Sequence, residues 1–308
     1  VKGEKGFALV ITMIVTLLLV ALCTEFIDEV YVDTTAGHNF VDGQQASLLA
    51  ESGIVGGMKL LQLTLQGQEY SSLLDQWARP LQIADESGAL EVTIEEETGK
   101  LNLNLVALPN GTLFEPYAGI AMRLFKKLVL SPDLPDALAD WLDENEEPRP
   151  GGAESSYYGT LKPPYVARNS RLETLEELGL VKGFSGKPLE RLRPFVTVYA
   201  DDTVSPVAPI NINTAPPELL SALDERMTDD LAARVLDYRK TTPFKQPADL
   251  ARVAGLETIA IGLQGKIRVK GTVFRLRSQA RTKETTRIIE AVVRMGGAQP
   301  TVLYWREY

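Results

Sequence analysis

Residues 7–23, FALVITMIVTLLLVALC, form a run of 17 without a single charge. As a helix rising ~1.5 Å per residue this run is about 25 Å long, close to the ~30 Å hydrocarbon core of a bilayer. Lys2 and Lys5 precede it and, under the positive-inside rule, stay cytoplasmic. A cleavable secretory signal ends in a small-x-small site before a break in composition. Ala21-Leu22-Cys23 supplies no such site, and the helical pattern runs on. From Thr24 to about Gln66 there is no proline. Apolar residues recur at Phe26, Val30, Val41, Leu48, Leu49, Val55, Met58, Leu61 and Leu65. Gly53, Gly56 and Gly57 each cost helix stability, which points to close packing against another surface.

Composition narrows the chemistry. The chain has 308 residues, 44% apolar, enough for one large domain or two ordinary ones. Its formal net charge of −9 argues against a general nucleic-acid binder, which needs a basic face. The single cysteine, Cys23, lies inside the apolar run, and the single histidine is His38. An internal disulfide, a thiolate metal site and multi-histidine chemistry are therefore excluded. No nucleophile–base set and no phosphate loop is present, so the chain reads as a non-enzyme.

Residues 89–97 alternate Leu90, Val92 and Ile94 with polar residues, then Thr98-Gly99-Lys100 turns, and residues 101–105 alternate again. This pattern predicts a β-hairpin. From about Thr112 the period becomes helical, with Ile120, Met122, Leu124, Phe125, Leu128 and Val129 on one stripe. Further helices are expected from Leu138, over 171–179, after Asn213 or Thr214 as cap, over 228–239 and over 247–253. A strand is expected at 195–200, and two long strands at 265–281 and 285–295. Two strands alone are unstable. Pairing them with the 90–105 hairpin and packing that sheet on the long N-terminal helix gives an α+β core, with residues 109–262 as a helical insertion.

The richest chemistry lies in residues 133–154, which hold eight carboxylates and one base, Arg149. Crowded carboxylates repel unless a cation joins them, and hard divalent ions take oxygen ligands. Asp143, Asn145 and Glu147 stand at alternate positions, with Glu154 eleven residues after Asp143. That spacing echoes an EF-hand loop, but Pro148 replaces the glycine at its sixth position. On composition alone a solvated acidic loop explains the run equally well.

Several segments together resemble the K minor pseudopilin of type II secretion. They are Gly6-Phe7 behind a short basic leader, Ile11 where major pilins carry a glutamate, GKLNLN at 99–104, the acidic loop, 163–183 and NINTA at 211–215. The resemblance implies a pseudopilin fold. Residues 1–6 become a leader cut by prepilin peptidase between Gly6 and Phe7, with Phe7 the new, methylated terminus. Residues 7–24 become a transmembrane and filament-core helix. Residues 25–108 form the core helix and first strands, 109–262 the inserted α-domain, and 263–308 the closing strands. It further implies an inner-membrane protein with a periplasmic body that caps the pseudopilus tip. Its partners would be the I and J minor pseudopilins and other pseudopilus subunits.

The same resemblance implies structural calcium, one or two ions, at an Asp-Trp-Leu-Asp…Gly-Ala-Glu pattern. Asp140, Trp141, Asp143, Gly152, Ala153, Glu154, Tyr157 and Tyr158 match it. The candidate ligands are Asp140, Asp143, Asn145, Glu147, Glu154 and Ser155. Ser155-Ser156 departs from the family's acidic residue there and puts a second ion in doubt, with Asp201-Asp202 a possible contributor.

Residues 211–256 also resemble the helix-hairpin-helix modules of competence DNA receptors, which gives an alternative reading as a membrane-anchored DNA binder. The first hairpin position holds Leu223-Asp224-Glu225-Arg226, and residues 206–263 carry eight acids against six bases. A phosphate surface needs the reverse. A type IV pilus minor pilin shares the N-terminal logic and remains a further alternative.

Overall fold

The computed structural model describes residues 4–86, 88–201, 207–297 and 299–308. Helix α1 (Glu4–Leu65) is continuous through the apolar run and beyond it. The side chains described from Gly6 to Val41 are exposed, and burial begins at Asp42.

The buried stripe of α1 differs from the one the apolar periodicity marked. Phe26, Val30, Val41, Leu48 and Val55 are exposed, whereas Ala46, Ala50, Gly53, Ile54, Gly57, Leu61 and Leu65 are buried. Small residues win because the helix lies directly on the sheet. A Cβ on Gly53 would overlap Ser278 Oγ and approach Leu90 and Val92 to 2.9 Å, and one on Gly57 would meet Leu276 at 2.7 Å. A Cβ on Gly56 meets nothing within 4 Å. Gly56→Ala is therefore expected to stabilise the protein by up to ~1 kcal/mol through helix propensity. Gly53→Ala is expected to destabilise it by ~1–3 kcal/mol through overpacking. Paired denaturant melts check the opposite signs.

Strands β1 (Leu81–Asp85) and β2 (Gly88–Glu96) begin the sheet. Two short parallel pairs follow: β3 (Leu101–Asn102) with β4 (Val196–Thr197), and β5 (Ile210–Asn211) with β6 (Ile267–Arg268). Strands β7 (Val273–Thr282), β8 (Thr285–Arg294) and β9 (Thr301–Glu307) close the chain. The main sheet is antiparallel in the order β1-β2-β7-β8-β9, with Ile94 opposite Leu276 and Leu276 opposite Ala291. Those residues face α1 and form one core with Trp77 and Phe274, whose rings meet edge-on at 5.2 Å.

The expected hairpin of 89–97 with 101–105 does not form. β2 pairs instead with β1 and β7, and Leu101–Asn102 joins β4. The asparagines explain this. Asn102 Oδ1 accepts the Asn104 N–H, and the Asn104 amide donates to the Leu172 and Val198 carbonyls, tying the segment to the inserted body.

That body holds α2 (Tyr117–Lys127), α3 (Leu134–Leu142), α4 (Ser155–Tyr158), α5 (Lys187–Leu192), α6 (Pro217–Ala222), α7 (Asp229–Arg239) and α8 (Glu257–Gly262). Residues 176–180 and 247–252 are 3-10 turns where longer helices were expected. Pro216 occupies the cap position of α6 rather than Asn213 or Thr214, because Asn213 is turned inward onto the Phe244 and Val269 carbonyls.

The body joins the sheet core beyond the C-terminal end of α1. Glu96 accepts hydrogen bonds from Ser71 Oγ (2.9 Å) and Asn211 Nδ2 (2.8 Å), and the Gly271 N–H donates to Ser71 Oγ (2.7 Å). Next to it, buried Glu97 pairs with Lys100 (2.8 Å) and Arg275 (2.9 Å).

Candidate metal centre

Asp140 lies in the last turn of α3 and Asp143 is its C-terminal cap. Three residues apart on a helix is the spacing that stacks two side chains on one face. Residues 148–153 then turn back, so that Glu154, at the N-terminal cap of α4, meets them. One oxygen from each of Asp140, Asp143 and Glu154 lies within 4.8 Å of the others, and all three residues are buried.

Neighbours fix this turn. The Arg149 backbone N–H donates to Asp140 Oδ2 at 3.0 Å, and the Gly151 N–H donates to Asp136 Oδ2 at 3.1 Å. The Lys182 ammonium donates to the Gly151 and Gly152 carbonyls and sits over the Tyr157 ring. Trp141 closes the other side. Its ring meets Tyr158 edge-on at 5.1 Å, and its N–H donates to Glu177 Oε1 at 3.2 Å.

The electrostatics are those of a cation site. Neither carboxylate oxygen of Glu154 has a hydrogen-bond partner among the described residues, although both are buried. Burial, reinforced by Asp140, Asp143 and Glu146, pushes the Glu154 carboxyl up to about 8. Burial likewise raises Asp140 and Asp143, and the Arg149 charge offsets part of the rise in both. Three buried carboxylates, with orphaned oxygens on Asp140 and Glu154, are costly unless something neutralises them. A hard divalent ion with oxygen preference fits this donor set, and a soft one does not.

The remaining candidate ligands stand around this triad. The Asn145 N–H donates to Asp143 Oδ1, while Asn145 Oδ1 accepts the Glu147 N–H at 2.7 Å. The Glu147 side chain is exposed. The Ser155 hydroxyl donates to Glu146 Oε1 at 2.8 Å, and Glu146 also accepts from the Asn169 amide at 3.0 Å. Asp202 lies outside the described residues. The spacing of the acids does not reveal Arg149 beside the triad, nor Gly152 as the residue that admits Asp140. The Gly151-Gly152 pair after a proline-rich turn was the available signal.

The helix-hairpin-helix look-alike is internally capped. At the turn between α6 and α7, Asp224 Oδ1 accepts the Arg226 N–H at 3.0 Å and its guanidinium at 2.9 Å. At the second turn the Gly255 N–H donates to Glu257 Oε1 at 3.3 Å.

The sequence model of the family described as Type II secretion system (T2SS), protein K matches residues 99–201 and 210–270. Type II secretion system protein K of Pseudomonas aeruginosa is 30% identical over 269 residues, covering 82% of this chain and 77% of its own. The protein of the same description from Aeromonas hydrophila is 28% identical and covers 99% of this chain and 97% of its own. Among solved structures, a chain of the GspK-GspI-GspJ complex of the enterotoxigenic Escherichia coli Type 2 Secretion System superposes with a TM-score of 0.75 at 21% identity. It covers 89% of this chain and 99% of that one.

Proposed function

This chain belongs to the type II secretion system protein K family, and from that premise we propose that it is a minor pseudopilin that caps the pseudopilus tip and initiates its assembly. The observation that carries this reading is the position of the inserted body. It is fastened beyond the C-terminal end of α1, through Ser71, Glu96, Asn211 and Gly271. A body there obstructs the place where a further subunit would stack, so the chain suits an end and not a repeat. Its partners are the I and J minor pseudopilins, in keeping with the complex in which the structural neighbour was solved.

The exposed apolar helix is the anchor. It is long and apolar enough to cross a membrane, and in this reading it spans the inner membrane before joining the filament, with the body in the periplasm. Prepilin peptidase cuts between Gly6 and Phe7. Immunogold labelling of this chain in assembled filaments is the test. Label at one end only is expected, and label along the length overturns the capping role. N-terminal sequencing of the assembled form is expected to begin at Phe7.

Asp140, Asp143 and Glu154 would hold calcium, with Asn145, Glu147 and Ser155 as the adjacent candidates. The ion supplies neutralising charge and oxygen coordination, a structural and not a catalytic service. Because only the folded state assembles the triad, calcium stabilises it by about 3 kcal/mol at a hundredfold excess over Kd. A calcium-dependent rise in Tm of the full chain in detergent is expected, with a smaller rise in magnesium. An unchanged Tm removes the metal from the reading.

DNA binding is the weaker reading. The carboxylates of Asp224 and Glu257 already take the hairpin amides that a phosphate would need.

A further inference from the structure

Arg149 is the one basic side chain paired with the carboxylate triad among the described residues. Its Nε stands 3.5 Å from Asp140 Oδ1, and its backbone N–H binds Asp140 Oδ2. The far end of its guanidinium donates to the Gly111 carbonyl, and Gly111 packs against the Asp143 carboxylate. The arginine is thus held at both ends beside the site. Yet Arg149 Nε and Asp140 Oδ1 are both buried without a hydrogen bond. The guanidinium acts there through its charge and not through a directed bond.

The other charged groups nearby form no ion pair with the triad among the described residues. Lys182 spends its ammonium on the Gly151 and Gly152 carbonyls. Glu146 is exposed and bound to Ser155 and Asn169, so water weakens its charge at the triad without removing it. Asp136 binds the Gly151 N–H.

We propose that Arg149 is the specificity-determining residue of the metal centre: it sets the buried site at a net charge of minus two and so matches it to a divalent ion over a trivalent one. With a cation bound and the carboxyls ionised, Asp140, Asp143 and Glu154 contribute three negative charges, and Arg149 returns one. A divalent ion then brings the buried cluster to neutrality, the state that burial favours. A trivalent ion of similar size and oxygen preference leaves one unpaired positive charge beside the guanidinium. Without Arg149 the balance reverses, and the trivalent ion becomes the neutral match.

This inference rests on the calcium reading above, and the experiment separates the two. Terbium and calcium compete for the full chain in detergent micelles, with terbium emission excited through Trp141 and its neighbouring tyrosines. In Arg149→Gln the ratio of terbium to calcium affinity is expected to rise by about tenfold or more, the size of a unit-charge interaction at partly buried distances. Arg149→Lys keeps the charge and is expected to restore the original ratio.

Failure of the unsubstituted protein to bind either ion overturns both readings. A ratio unchanged in Arg149→Gln, or shifted equally in Arg149→Lys, overturns the charge role alone. Arg149→Gln and Arg149→Met that hold neither ion also overturn it, since removing a repulsive charge cannot abolish cation binding for electrostatic reasons.

Discussion

Gly152→Ala is expected to destabilise the protein by about 3 kcal/mol and, on the calcium reading proposed above, to remove the rise in stability with calcium. A Cβ at this position would overlap Asp140 Oδ2 and stand 2.6 Å from Asp140 Cγ. Asp140 cannot yield easily, because it is fully buried and its Oδ2 is bound by the Arg149 N–H. The φ of Gly152 lies outside the left-handed region, so steric overlap and not backbone strain sets the cost. Overpacking of this kind costs ~1–3 kcal/mol, and displacing a buried charged group brings the figure to the upper end. Denaturant unfolding with calcium and with chelator measures both effects. A variant matching the parent in the two conditions would show that Asp140 does not depend on this close approach.

The second large effect lies at the junction between sheet and inserted body. Glu96→Ala is expected to cost ~3–5 kcal/mol, since it leaves Ser71, Thr98 and Asn211 without their shared acceptor. Gly271 stands so close that its missing side chain is what admits the carboxyl, with Glu96 oxygens 2.5–2.6 Å from a Cβ built there. The adjacent glutamates titrate in opposite senses. Burial raises Glu96, against the hydrogen bonds of Thr98, Asn211 and Ser71. Its folded value lies above the unfolded one, so its contribution is full in acid and declines as pH rises through the folded value.

Burial also acts on Glu97, but Lys100 and Arg275 outweigh it and hold the carboxyl at about 2. Glu97 therefore contributes above its ordinary value of 4.5, and the contribution is lost as pH falls toward 2. Comparing Glu96→Gln and Glu97→Gln against the parent over pH 2–8 should give differences of opposite slope: as pH rises the parent loses stability relative to Glu96→Gln and gains it relative to Glu97→Gln. Parallel profiles would contradict this assignment.

Much of the architecture is legible in the sequence because it follows from period and punctuation. The proline-free stretch marks α1, the turn at Lys283-Glu284 marks the β7–β8 hairpin, and the stripe from Ile120 to Val129 marks α2, although Met122 and Val129 on that stripe are exposed. Strands β1 and β9 were missed because they are sheet edges. Leu81, Ile83, Val302 and Trp305 are exposed, so no alternation of burial is imposed on them. The alternation at 101–105 misled for a different reason. Its polar positions are asparagines that serve as ties to Leu172, Val198 and Tyr199, a role that leaves no period.

At the candidate site the charge excess was readable, and so was the spacing of Asp143 and Glu154, whereas Asp140 entered only through the resemblance. That Glu154 joins Asp140 and Asp143 while Glu147 stays exposed depends on the path of residues 148–153, which spacing alone does not give. That Ser155 binds Glu146 depends on the same path.

The sheet grips α1 only from Asp42 onward, and the helix before it runs without a break, its described side chains from Gly6 to Val41 exposed. A continuous helix of this kind sets angle as well as height. Each residue between Cys23 and Asp42 lifts the head by ~1.5 Å and turns it by about 100° around the shaft. The azimuth at which the head confronts its neighbours is therefore written into the residue count of the stalk, so one inserted residue would swing the head to another bearing while leaving its fold intact.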